Sequence, residues 1–129
     1  MPPKILIVDD EAHIRTLLQR TFMDLEDDFD VELLTAENGE EALIIVEQEK
    51  PELVFLDVMM PKMNGYDTCY TIKKKLKLED ITVVLLTAKG QTVDRKYGFD
   101  VGADHYVTKP FDPDDLLEMA MDILGLEND

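Results

Sequence analysis

Asp9, Asp10 and Asp57, with Thr87 and Lys109, are the residues through which this 129-residue chain could do chemistry. Their spacing follows a pattern. Ile5-Leu6-Ile7-Val8 runs into Asp9-Asp10-Glu11, Leu53-Val54-Phe55-Leu56 into Asp57, and Val83-Val84-Leu85-Leu86 into Thr87. Lys109-Pro110 follows a weaker apolar segment, His105–Val107. Brought together, three carboxylates repel: at ~4 Å and an effective dielectric near 20, each pair costs about 4 kcal/mol. A hard divalent cation offsets that repulsion, and Mg²⁺ characteristically takes one or two carboxylates plus waters and phosphate oxygens. Lys109 adds another positive charge and Thr87 a hydroxyl. A cation, an ammonium and a hydroxyl around one carboxylate make a cradle for a phosphoryl group, whose transfer depends on positioning and charge stabilisation. Asp57, at the centre, is the natural nucleophile and would form an aspartyl phosphate.

Each piece alone has a blander reading. An Asp-Asp pair after a strand can simply cap a helix, a Thr at a strand end reflects β propensity, and Thr-Lys-Pro is an ordinary loop. Five such pieces in chain order at strand ends are not a coincidence of composition.

The elements that must position these residues are legible from periodicity. Unbroken apolar runs, rather than alternating ones, mark strands covered on both faces, the habit of parallel sheets. Val31–Ala36 and His105–Val107 are two weaker strands. Ile14, Leu17, Leu18, Thr21, Phe22 and Leu25 form the inward stripe of a first helix. Ala42, Leu43, Ile45 and Val46 form a second, entered through Asn38-Gly39. Cys69, Ile72 and Leu76 line a third, opened by Pro61 and Gly65, while Val93 and Tyr97 mark a short fourth. Leu116, Ala120, Ile123 and Leu124 mark a fifth, with Pro113 suited to its first turn. Lys73-Lys74-Lys75 with Lys77 is expected to be a solvated basic face. The order is strand–helix five times over. It predicts an α/β fold: one doubly wound, five-stranded parallel sheet, flavodoxin-like, with strand order 2-1-3-4-5 in a single domain over residues 1–129. Ligands of such sheets bind beyond the carboxyl ends of the strands, beside the switch between strands 1 and 3. Asp9, Asp10 and Asp57 are predicted to converge there.

Composition narrows the functional classes. Thirteen Lys+Arg against twenty-nine Asp+Glu leave a net charge of −16, which repels phosphate backbones and anionic lipid, so neither nucleic acid nor membrane is an expected direct partner. No apolar run approaches the ~20 residues of a membrane span, and the N-terminus lacks the apolar stretch of a signal peptide. Cys69, the lone cysteine, is expected to be a buried small hydrophobe. A cytoplasmic setting is expected. His13 and His105 have no carboxylate or cysteine partners at metal-binding spacing and are expected to be structural.

Ile5-Leu6-Ile7-Val8-Asp9-Asp10-Glu11 resembles the opening of a two-component response regulator receiver domain of the chemotaxis-regulator type. So do Leu56-Asp57-Val58-Met59-Met60-Pro61-Lys62-Met63-Asn64-Gly65-Tyr66, Leu86-Thr87-Ala88, Gly102-Ala103-Asp104-His105-Tyr106 and Lys109-Pro110-Phe111. The resemblance covers residues 4–124, nearly the entire chain. It implies that Asp57 accepts a phosphoryl group from the phosphohistidine of a sensor kinase or phosphotransfer protein. Asp10 and Asp57, with the backbone carbonyl of Met59, would bind Mg²⁺ directly, and Asp9 through water. Lys109, preceding an expected cis peptide to Pro110, would pair with the phosphoryl oxygens, assisted by the Ala88 amide. Thr87 would move onto the phosphoryl group and Tyr106 turn inward behind it, remodelling the face made by the fourth helix, fifth strand and fifth helix to control a partner or attached output domain. The chain would then be no enzyme in the ordinary sense, catalysing only its own phosphorylation and dephosphorylation.

Three rivals share parts of this pattern. An aspartyl-phosphate hydrolase of the haloacid dehalogenase kind needs a second Asp two residues after the nucleophile; here that residue is Met59. A flavodoxin-like FMN carrier needs a Ser/Thr/Gly-rich loop where Asp9-Asp10-Glu11 stands. A receiver used only for docking would lack part of the constellation, and none is missing. For assembly, receivers joined to winged-helix DNA-binding domains dimerise through charged pairs. Of these, Arg95 with Asp115 and the acid Asp100 remain, whereas Met119, Met121 and Val101 replace charged partners. A monomer or weak dimer is therefore expected, with the two methionines offering an apolar surface to a different protein.

Overall fold

The computed structural model describes residues 2–60, 63–88 and 102–126. Five strands, β1 (Lys4–Val8), β2 (Glu32–Ala36), β3 (Leu53–Asp57), β4 (Thr82–Ala88) and β5 (His105–Lys109), form one parallel sheet in the order β2-β1-β3-β4-β5, the doubly wound order predicted. The unbroken apolar runs are explained by two cores. Leu6, Val8, Val54, Leu56, Val83 and Leu85 point to one face of the sheet, while Ile5, Ile7, Leu53, Phe55, Val84 and Leu86 point to the other, all buried.

Helices α1 (Ala12–Thr21), α2 (Met23–Phe29) and α5 (Pro113–Leu124) supply apolar residues to the second core, and α3 (Gly39–Glu49) and α4 (Gly65–Tyr70) to the first. The Asn38 carboxamide oxygen accepts the Glu41 amide at 2.8 Å at the start of α3, and Asn64 accepts the Asp67 amide at 2.9 Å at the start of α4. Asp112 does the same for α5, with Pro113 in its first turn.

Three sequence expectations need correction. The stripe from Ile14 to Leu25 is divided between two helices rather than one. Phe22, at φ −91° and ψ 3°, leaves the helical region between them and stacks its buried ring on Phe55, centroids 5.3 Å apart. The third predicted helix is only partly α-helical: Thr71–Lys75 form a π-helical turn, closed by the Leu76 amide donating to the Thr71 carbonyl at 2.8 Å. That wider turn buries two successive side chains, Ile72 and Lys73. The basic run is therefore not one solvated face. Lys74, Lys75 and Lys77 are exposed, but Lys73 is buried, 2.7 Å from Asp104 and 3.2 Å from the Glu79 carbonyl that accepts its ammonium proton. Gly102, at φ +95°, lies over this lysine; a side chain there would press on Lys73 Cβ at 3.0 Å. Met119 and Met121, both half-buried, pack against the second core. Val93, Arg95, Tyr97, Asp100 and Val101 lie outside the described residues, as do Pro61 and Lys62.

The Lys73–Asp104 pair carries an asymmetric prediction. Asp104 also accepts the Val83 amide at 2.9 Å, and its side chain remains 39% exposed against 6% for Lys73. Asp104→Ala strands a buried ammonium and is expected to cost about 3 kcal/mol, whereas Lys73→Met leaves an acid that water can reach and costs under about 1 kcal/mol. Urea denaturation of both variants checks this; equal losses would show that the pair's burial does not set the cost.

Candidate functional site: an acidic cleft at the strand ends

Because β1 and β3 are neighbours, the residues at their carboxyl ends must meet. Ile5–Val8 pair in register with Leu53–Leu56, which sets Asp9 beside Asp57. One oxygen from each of Asp9, Asp10 and Asp57 lies within 4.8 Å of the others, the one group of potential metal ligands of this kind among the described residues. Asp9 and Asp57 are buried while Asp10 is exposed. The Asp9 carboxylate is fully engaged by the chain: Oδ1 accepts the Glu11 amide at 2.9 Å, and Oδ2 accepts the Lys109 ammonium at 3.0 Å. Lys109 Nζ also lies 3.3 Å from Asp57 Oδ1, which accepts the Met59 amide at 3.3 Å as well.

Lys109 reaches the cleft because β5 runs two residues further than its apolar pattern indicates. The last rungs of the β4–β5 ladder pair Thr87 with Thr108 and Ala88 with Lys109, so the lysine ends the strand instead of lying in a loop after it. The Lys109–Pro110 peptide is cis. Thr87 is buried one residue before the end of β4, directly after Leu86, the residue that pairs with Asp57. Gly65 closes the loop behind Asp57: a Cβ there would collide with the Asp57 carbonyl oxygen and come within 2.8 Å of Val58 Cα. Its amide instead donates to the Val58 carbonyl at 2.9 Å.

The electrostatics follow from this packing. Burial, reinforced by the neighbouring Asp9 charge, pushes the Asp57 carboxyl up to about 6, against the opposing pull of Lys109 and the Met59 amide. Burial works against the charge on Lys109, but the Asp57 and Asp9 carboxylates outweigh it and hold its ammonium above the ordinary lysine value. Burial raises the Cys69 thiol to about 12, so this cysteine is inert core. His13 is exposed, 3.3 Å from Glu11, and His105 is exposed at the start of β5. Met59, where a hydrolase would place its general acid, is 60% exposed and carries a thioether that has no proton to donate.

Tyr106 is half-buried on β5, and its hydroxyl shares a hydrogen bond of 3.1 Å with the hydroxyl of Tyr66, a buried residue of α4. Arg15 is likewise tied to the cleft: its Nη1 donates to the Asp9 carbonyl at 2.6 Å. Neither Tyr66 nor Arg15 stands out by spacing. The signal for Arg15 would have been a cation one helical turn beyond Glu11 in an otherwise acidic stretch.

A parallel sheet in this order, with three acids and a lysine at its switch point, defines a receiver. The model of the response regulator receiver domain matches residues 5–121, and the chain belongs to that family. Among curated proteins it is 49% identical over 113 residues to the probable transcriptional regulator ycf27 of Porphyra purpurea, covering 88% of this chain and 44% of that protein. It is 44% identical to the alkaline phosphatase synthesis transcriptional regulatory protein PhoP of Bacillus subtilis, covering 88% of this chain and 45% of that protein. The chain thus spans less than half the length of these relatives. Among solved structures it resembles the chemotaxis response regulator CheY4 of Vibrio cholerae, with TM-score 0.83 and 28% identity, covering 95% of this chain and 99% of that one. This chain is therefore a signalling domain of two-component systems. Among the described residues, no helix is long and apolar enough to cross a membrane.

Proposed function

We propose that this chain is one phosphoacceptor domain, residues 1–129, in which Asp57 takes a phosphoryl group from the phosphohistidine of a sensor kinase or phosphotransfer protein in the cytoplasm. The observation that carries this reading is the placement of Asp57 Oδ1 3.3 Å from Lys109 Nζ, with Asp9 and Asp10 completing an acidic cluster. The donor set suits a hard divalent cation, because all three side chains offer oxygens and one of them faces solvent. Asp10, Asp57 and the Met59 carbonyl would hold Mg²⁺ directly. Asp9, with both oxygens engaged by Lys109 and the Glu11 amide, would act through water. Bound there, Mg²⁺ would supply charge to the phosphoryl oxygens.

The chain's own residues do the rest. An Asp57 oxygen attacks phosphorus, the P–N bond to the donor imidazole breaks, and its electron pair stays on the nitrogen, which takes up a proton. Lys109 is positioned to exchange its contact with Asp57 for a phosphoryl oxygen, and the Ala88 amide and Thr87 hydroxyl donate to the others. Thr87 moving onto the phosphoryl group would let Tyr106 turn inward, biasing the surface around β5 and α5. The transcriptional regulators that the chain resembles support a role as the input unit of such a regulator, with output through an attached domain or a partner. Its net charge of −16 opposes self-association and supports a monomer or weak dimer.

Incubation with acetyl phosphate tests the reading. The chain is expected to gain the mass of one phosphoryl group only when Mg²⁺ is present, and absence of labelling would overturn the proposal. Thr87→Ala is expected to label as wild type yet to leave the amide NMR signals of β5 and α5 unmoved by phosphorylation. Shifts as large as those of wild type would remove Thr87 from the relay.

A further inference from the structure

Asp10 is the one member of the acidic cluster whose side chain is exposed, and no hydrogen bond reaches its carboxylate among the described residues. Its position therefore depends on its backbone. Asp9, by contrast, is held at both carboxylate oxygens. The peptide between them has its own restraint. Its oxygen, the Asp9 carbonyl, accepts a hydrogen bond from Arg15 Nη1 at 2.6 Å, while Arg15 Nη2 lies 3.4 Å from Glu37 Oε1. The guanidinium is mostly covered, its side chain 15% exposed, and it forms no ion pair with the carboxylates of Asp9, Asp10 or Asp57. Glu37 follows directly on β2, and the Asp9 amide donates to the Ala36 carbonyl at 3.2 Å, so the same peptide stretch is clamped on both sides.

We propose that Arg15 is a positioning residue for the cation site: it fixes the plane of the Asp9–Asp10 peptide and so aims Asp10 at Asp57. A planar guanidinium suits the task because two of its donors can bridge the Asp9 carbonyl and Glu37 at once, which a single rotating ammonium does less rigidly. The inference rests on the reading of Asp9, Asp10 and Asp57 as a Mg²⁺ site and adds what orients it. Groups that orient metal ligands typically change affinity about tenfold or more when removed.

The sign of the effect separates positioning from simple charge. Arg15 is a cation beside a cation site, so by Coulomb's law alone Arg15→Ala would make Mg²⁺ bind more tightly. Positioning demands the opposite. The test is Mg²⁺ titration of the unphosphorylated full chain, followed by isothermal calorimetry and by amide NMR shifts at Asp10 and Asp57. Arg15→Ala is expected to weaken Mg²⁺ binding about tenfold. Arg15→Lys, which keeps a charge and one donor, is expected to bind Mg²⁺ more weakly than wild type and more tightly than Arg15→Ala. Unchanged or tighter binding in Arg15→Ala would overturn the proposal even with the Mg²⁺ site intact. Failure of wild type itself to bind Mg²⁺ would overturn the site and Arg15's role with it. Melting in chelator reports whether each variant is folded. If Arg15→Ala does not fold, Arg15→Lys carries the test alone: weaker binding in that folded variant supports the proposal, and binding equal to or tighter than wild type overturns it.

Discussion

Asp57→Asn is expected to abolish Mg²⁺-dependent labelling by acetyl phosphate and, in the same protein, to make the metal-free fold more stable. The two effects have one cause. An ionised carboxylate at Asp57 is buried beside Asp9, which raises its pKa from 3.8 to about 6. A group whose folded pKa is raised favours the native state below its unfolded value, and that contribution is lost as pH rises through the folded pKa. In chelator, wild type should therefore lose stability relative to the D57N variant as pH climbs from 3.8 to about 6. At about 1.4 kcal/mol per pKa unit the full effect is on the order of 2–3 kcal/mol at pH 7. The amide also gives up its charge-assisted contact with Lys109, so a net gain of about 1–2 kcal/mol is expected. Melting temperatures across that pH range, with intact mass after acetyl phosphate treatment, check both halves. Labelling of the D57N variant at another residue would move the acceptor, and parallel stability curves would show that Asp57 carries no unfavourable charge.

Lys109→Met is expected to be strongly destabilising. The ammonium lies 3.0 Å from Asp9 and 3.3 Å from Asp57, whose side chains are 0% and 4% exposed. Removing the cation from such a pair leaves uncompensated buried charge, which typically costs about 3–5 kcal/mol. The held-up pKa of Lys109 gives the sign of its own pH dependence. Its stabilising contribution is complete below the ordinary lysine value of 10.5 and lost only as pH rises through the raised one. Two remedies should restore part of the loss: Asp57→Asn, which removes one of the stranded charges, and Mg²⁺, which neutralises them by binding only the native state. Urea denaturation of the single and double variants, with and without Mg²⁺, measures each remedy. Additive losses in the double variant would show that Lys109 and Asp57 do not interact as the geometry states.

Asp9, Asp10, Asp57, Thr87 and Lys109 could be picked from the chain because each is a polar residue at or just beyond an apolar strand, where a parallel sheet exposes its carboxyl edge. The strand order 2-1-3-4-5 is one of the few that right-handed crossovers leave for five such strands, and the family resemblance selects it. Those signals are local. What stayed hidden depends on distance. Lys73 reads as one more surface lysine because nothing in Lys73-Lys74-Lys75 announces a π-helical turn, and its partner Asp104 is 31 residues away.

The fold class and the residues gathered at the sheet's carboxyl edge are legible along the chain, because hydrophobic periodicity and strand-end chemistry are written in consecutive residues; the strand order came with the family resemblance. The surroundings of each of those residues depend on tertiary contacts. Asp9 is buried and accepts a hydrogen bond at each oxygen, from the Glu11 amide and from Lys109, whereas Asp10 is exposed and follows a carbonyl, that of Asp9, to which Arg15 donates. Two adjacent, chemically identical acids acquire different environments because burial and hydrogen bonding depend on residues up to 100 positions away, which the spacing of neighbours along a chain does not encode.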